Sequence, residues 1–178
     1  MHPVEHFKTV YEHRKLVREH CFRLGLYRQG LMHDLSKYSP VEFWRGAKYY
    51  QGNRSPNNKE REVTGHSMAW LHHKGRNKHH FEYWIDYIIN EDGSVGFGGN
   101  RMPKRYIAEM FCDRVAASKI YLKDRYTDDA PLRYYEISKS EIPIHPETGA
   151  ELEKMLTVLK EEGEEAAFEY VRNWLKEK

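Results

Sequence analysis

Apolar positions along the chain recur mainly at helical intervals. In residues 4–25, Phe7, Val10, Val17 and Leu24 fall on one stripe, and Gly25 supplies a stop signal. Residues 30–36 predict a short helical piece with Leu31, Met32 and Leu35 available for burial. Ser39-Pro40-Val41-Glu42 opens the next helix: Ser39 can cap it, Pro40 suits the first helical position, and Glu42 completes a capping box. That helix should reach about Tyr50. The Gly, Asn, Ser and Pro content of 51–58 marks a loop. Helices are expected at about 59–73, ended by Lys74-Gly75, and at about 78–90. The Gly-rich stretch 91–100 predicts a loop or short hairpin, and Pro103 starts a long helix to about Arg125. Residues 126–146 read as irregular with a short extended piece at 133–137. Two amphipathic helices, about 147–161 and 164–176, flank Gly163. The expected fold class is therefore all-α, six or seven helices in one domain. Residues 1–125 would form the core, and residues 126–178 a connection and a C-terminal helical hairpin packed over it.

Composition narrows the chemistry. With 178 residues, 39% hydrophobic and 31% charged, the chain suits one globular domain with a real core. No apolar run approaches the ~20 residues of a membrane span, and MHPVEHFKTV lacks the pattern of a secretion signal. A cytoplasmic location and no membrane partner are expected. Cys21 and Cys112, far apart in sequence, read as small buried hydrophobes rather than a disulfide framework. A net charge of +2 gives no support for general nucleic-acid binding. Oligomeric state leaves no sequence signal. Histidine is the unusual count: of 11, only His145 lies beyond residue 80.

His6, His13 and His20 are spaced by seven and share one helix face beside the Val10, Val17, Leu24 stripe. The ordinary reading of any one of them is a partly exposed, hydrogen-bonded histidine at the core margin. His33-Asp34 is more informative, because an aspartate in an otherwise apolar piece needs a partner or a metal. Adjacent helical residues point about 100° apart, so one ion could take both only at the helix flank. Asp113 shares a seam with Tyr106, Met110, Ala117 and Ile120 and interrupts an apolar stripe, which calls for an arginine or a metal. On the 59–73 helix, His66, Ala69, Trp70 and His73 share a face, so His73 points inward better than His72. The turn KGRN then leads to His79-His80. Two histidine pairs flanking a basic turn could supply a second metal, and Arg54, Arg76 and Lys78 are candidate phosphate contacts by loop composition. A solvated surface position is the ordinary alternative for each of those three.

The order His13, His33-Asp34, Asp113 resembles the H…HD…D signature of the HD-domain metal-dependent phosphohydrolases, and HDLSK looks like their HD-x-x-K segment, with Lys37 at the lysine. The interposed histidines resemble the dinuclear branch of that superfamily. HDLSKYSP, YYQGNRSPN, HHKGRNKHHFEYW and MPKRYIAEMFCD look more closely like a small bacterial and phage family without assigned activity, over about residues 5–125. The resemblance implies an HD-like helical bundle with His13, His33, Asp34 and Asp113 around one divalent ion. A second ion would take His73 with His79, His80 or both, bridged by Asp34. Nitrogen and oxygen ligands without thiolates suit Mn, Fe, Co, Ni or Zn. The implied activity is hydrolysis of a small phosphorylated substrate such as a nucleotide, with Asp34 and Lys37 catalytic. A di-iron oxygenase on the same scaffold and a non-catalytic metal-binding module stay open.

Overall fold

The computed structural model describes residues 1–140 and 142–177. It is mostly helical, with nine α-helices and one two-stranded sheet among the described residues. α1 (Pro3–Arg23) starts on a proline, whose missing N–H costs nothing in a first turn, and ends before Gly25 at φ +76°. Its buried face is His6, Val10, His13, Val17, His20, Cys21 and Leu24. The seven-spaced histidines therefore lie within the core stripe, not partly exposed at its margin, at 7%, 6% and 2% exposure. Phe7, expected on that stripe, points to solvent.

The core cluster joins the second half of α1 to α6 (Lys104–Leu122), α8 (Pro146–Glu162) and α9 (Glu164–Trp174). Val17, Cys21, Ile107, Phe111, Val115, Leu152, Met155, Leu156 and Phe168 are all inaccessible there. The first half of α1, carrying His6 and His13, instead meets α3 (Pro40–Tyr49). Gly46 permits that approach: a Cβ on it would lie 2.2 Å from His6 Nε2. α5 (Met68–Lys74) also packs on α3. None of the described helices is long and apolar enough to cross a membrane.

Several expected elements differ. The helix expected at 59–73 is two helices, α4 (Pro56–Thr64) and α5. Gly65, at φ +77°, ends the first, and Ser67 Oγ caps the second by accepting from Trp70 N at 3.0 Å. The helix expected at 78–90 is a 3₁₀ turn (Phe81–Trp84) followed by β1 (Ile85–Ile89), which pairs antiparallel with β2 (Val95–Gly99). Its run of Trp, Ile and Tyr packs better on a pleated strand than on a helix, and Gly93 at φ +81° supplies the turn. Residues 130–138, expected to be irregular with an extended piece, form α7 (Ala130–Ser138), with Pro131 tolerated in its first turn.

His20 adds a pH dependence to this core. Its ring packs against Phe168 with centroids 5.1 Å apart, and Nδ1 lies 3.4 Å from the Cys112 carbonyl oxygen. Burial first, then the nearby Lys119 ammonium, push its pKa down to about 4 from an ordinary 6.5. Between those values the unfolded chain binds the proton and the folded chain does not. The contribution is complete above pH 6.5 and is lost as pH falls toward 4. At full size it is on the order of 3 kcal/mol. Chemical denaturation of His20→Phe should therefore lose stability less steeply than wild type from pH 6.5 to 4.5. Equal slopes would remove His20 from the acid response.

Candidate metal centre

The His33-Asp34 pair does not sit on a helix. α2 (Tyr27–Met32) ends before it, Asp34 is left-handed at φ +53°, and a 3₁₀ turn (Leu35–Tyr38) follows. A backbone reversal, rather than a helix flank, brings Asp34 Oδ2 to 3.4 Å from His33 Nε2. Such a conformation costs about 1–2 kcal/mol outside glycine. Arg14 clamps the turn, donating from Nε to His33 O at 2.7 Å and from Nη2 to Leu31 O at 3.2 Å. The same reversal leaves Leu31, Met32 and Leu35 exposed, contrary to their expected burial.

Around Asp34 the chain assembles two ligand sets. His13 of α1, His33, Asp34 and Asp113 of α6 form one; Asp34, His73, His79 and His80 form the other. Each offers four atoms within 4.8 Å of one another. Asp34 divides its oxygens between them. Oδ2 lies 3.7 Å from His13 Nε2 and 3.4 Å from His33 Nε2, while Oδ1 lies 3.2 Å from His73 Nε2 and 3.4 Å from His79 Nε2. Asp113 Oδ1 closes the first set, 2.9 Å from His13 Nε2 and 3.5 Å from His33 Nε2. His80 Nε2 closes the second, 2.9 Å from His73 Nε2. All seven residues expected to bind metal thus converge. His73 rather than His72 reaches Asp34. Of the three α1 histidines, His13 lies among the ligands, while His6 packs on α3 and His20 in the core. His66 is exposed.

Two carboxylates that sequence reasoning missed aim these rings. Glu109 Oε1 accepts from Nδ1 of both His33 (2.9 Å) and His79 (3.1 Å). Glu42 accepts from His73 Nδ1 at 2.7 Å and His72 Nδ1 at 2.6 Å. Holding the proton on Nδ1 leaves the Nε2 lone pair of His33, His73 and His79 facing Asp34. Glu42 fulfils only half of its expected capping role: Ser39 Oγ accepts from its N–H at 3.5 Å, but its carboxylate goes to the histidines. The Asp113 seam borders both core and cleft. Met110 is in the core cluster and Tyr106 packs against it, while Met110, Asp113 and Ala117 also line a cleft. Glu109, four residues before Asp113, was legible only as a second carboxylate one turn away.

The donor set fits a cation. His33 Nε2, His79 Nε2 and Asp34 Oδ1 are buried with no hydrogen-bond partner among the described residues, although polar atoms so placed are almost always paired; His13 Nε2 meets Asp113 Oδ1 at 2.9 Å and Asp34 Oδ2 meets Lys37 Nζ at 2.7 Å. His80 Nε2 lies 2.9 Å from His73 Nε2 and, as a neutral ring, can donate to it until an ion takes both lone pairs. Electrostatics agree. Burial opposes the charged form of His33, yet Asp34, Asp113 and Glu109 outweigh it and push its pKa up to about 10. Against burial, His33, Lys37 and His73 hold Asp34 well below the usual carboxylate range. Fields that favour a proton at these atoms favour any cation there. Burial holds His80 neutral.

A cleft of about 480 Å³ opens onto His13, His73, His80 and Asp113, with Trp70, Met110, Tyr121 and Tyr134 among its walls. Lys37 lines it and lies 2.7 Å from Asp34 Oδ2. Arg54 also lines it, but its guanidinium is bound to Glu62 at 2.5 and 2.9 Å and to Gln51 at 2.7 Å. Arg76 and Lys78 do not line it. The turn that directs Asn77 and His79 inward leaves them exposed, Arg76 on His72 O and Lys78 over the Tyr83 ring. The cleft presents instead Arg61, over the Trp70 ring, and Arg114, over the Tyr135 ring. Neither makes an ion pair among the described residues, and Arg114 Nε is buried without a partner.

Comparison with curated proteins and with solved structures returns no match. The sequence does match the pattern of "Family of unknown function (DUF5662)" over residues 2–158, a span containing every residue of both ligand sets. The chain belongs to that family.

Proposed function

We propose that this protein is a metal-dependent hydrolase of the HD type, acting on a small phosphoester in the cleft above Asp34. One observation carries the reading: a single buried carboxylate presents one oxygen to each of two His/Asp sets, and its Oδ1 and the Nε2 atoms of His33 and His79 have no hydrogen-bond partner among the described residues. The ligand order along a mostly helical chain supports it: His13 on α1, His33-Asp34 at the α2 turn, the histidines of and after α5, and Asp113 on α6. Two divalent ions held there would supply an acidified water and charge neutralisation for attack at phosphorus.

The chain's own groups do the rest. Glu109 and Glu42 fix ring orientation, so the ligands need little reorganisation when substrate arrives. Lys37, held at the cleft by Asp34, faces charge that develops on the phosphoryl oxygens. Arg61 and Arg114 offer cleft-facing cations for the rest of a phosphorylated substrate. The cleft volume suits a small ligand such as a nucleotide.

The test is elemental analysis of freshly purified protein, followed by assay of the metal-reconstituted chain against nucleotides and other phosphoesters. Expected are up to two transition-metal ions per chain and phosphate release from at least one ester. A chain that binds no transition metal on resupply sinks the reading. Tight binding without turnover across the panel favours a binding module, and oxygen consumption by an iron-loaded form favours an oxygenase.

A further inference from the structure

The β1–β2 hairpin stands apart from the metal centre and shows water an unusual face. In the register Tyr87↔Phe97 and Ile89↔Val95, these four side chains project from one side of the ribbon. They are 68%, 68%, 80% and 67% exposed, in that order. Tyr87 and Phe97 already stack across the strands, with centroids 4.4 Å apart. The opposite side differs, because Ile88 folds over Gly98, where a Cβ would lie 2.5 Å from Ile88 Cδ1. The base is anchored, with Ile85 packed on the core and Gly99 against the backbone at Pro143 and His145.

A two-stranded ribbon is marginal in water by itself, and an apolar face on a protruding one is a liability unless it is covered. We propose that this face is a dimer interface, covered by the same face of a second copy of this chain. Two features select a second copy. The face carries no charge, since Asp86 lies on the other side and Glu91 and Asp92 sit in the turn. A two-fold axis can therefore set it against itself without opposing like charges. Its area also matches: at about 200 Å² for each aromatic side chain, less for Ile and Val, and about 70% of that exposed, two such faces fully covered remove roughly 1,000 Å² from water, about the minimum for a specific interface. Packing is face to face, with the metal clefts left open.

Sedimentation equilibrium of the full chain, from about 5 to 200 µM, tests this. The expected result is a mass rising with concentration from 21.3 kDa toward twice that value. Tyr87→Ser/Phe97→Ser should weaken association by roughly 30-fold or more, as loss of central aromatic anchors does, with helical circular dichroism and metal content unchanged. Ile89→Glu, which sets like charges across the axis, should do the same. Phe7→Ser/Tyr11→Ser, on the exposed side of α1, should leave the dimer intact. A wild type that stays monomeric at 200 µM overturns the proposal. So does a dimer that survives both hairpin variants, or one that only the α1 variant breaks.

Discussion

Asp34→Ala is expected to strip both centres at once. After dialysis against low-micromolar metal, its content should fall from two ions per chain to a small fraction of one, and hydrolysis by roughly 10³-fold or more, the rate equivalent of several kcal/mol of transition-state stabilisation. Asp113→Ala should deplete only the first centre, because its carboxylate contacts His13 and His33 but none of His73, His79 and His80. The contrast follows from geometry: the Asp34 oxygens are the only ligand atoms that serve both sets. Without metal the Ala variant should also be less stable than wild type without metal, since Lys37 and His33 lose the charge that holds them. Breaking a buried pair from one side typically costs about 3–5 kcal/mol. Mass spectrometry of metal content and thermal unfolding with and without chelator separate the two effects. If Asp34→Ala keeps two tightly bound ions, Asp34 bridges nothing.

The ligands were more legible than the elements that carry them. His33-Asp34 stood out because a carboxylate in an apolar segment must be compensated, an argument that holds whether the segment is helix or turn. The left-handed backbone at Asp34 had no such signal; Arg14, reaching across from α1, binds the carbonyl of His33 just before it. In α1 the seven-residue spacing put three histidines on one face, but which of them meets Asp34 depends on what packs on each half of that helix. Gly65 was a visible breaker whose φ preference overrode the helical periodicity of 59–73, and the Trp, Ile and Tyr run that forms β1 overrode that of 78–90. Glu109 and Glu42 were out of reach for a different reason. Their partners lie 76 and 31 residues away, at His33 and His73, and no local pattern distinguishes a ring-orienting glutamate from one in solvent.

Those glutamates give the second large effect. Glu109 touches one histidine of each ligand set, whereas Glu42 touches only His73 and the non-ligand His72. Glu109→Ala should therefore weaken metal binding at both centres, by about 10–100-fold each, and Glu42→Ala at the second alone. Glu109→Gln should sit at the mild end, since one amide oxygen can still accept from both Nδ1–H groups without the charge that strengthens those bonds. Stepwise cobalt titration followed by visible absorption resolves the two binding events and shows which is displaced. Removal of either acceptor also frees the imidazole to carry its proton on Nε2, where the ion must bind. Equal effects of the Glu109 and Glu42 variants on a single binding step would show that Glu109 does not join the two centres. A selective loss of the second step in Glu42→Ala, beside loss of both in Glu109→Ala, would assign each glutamate to the rings it holds.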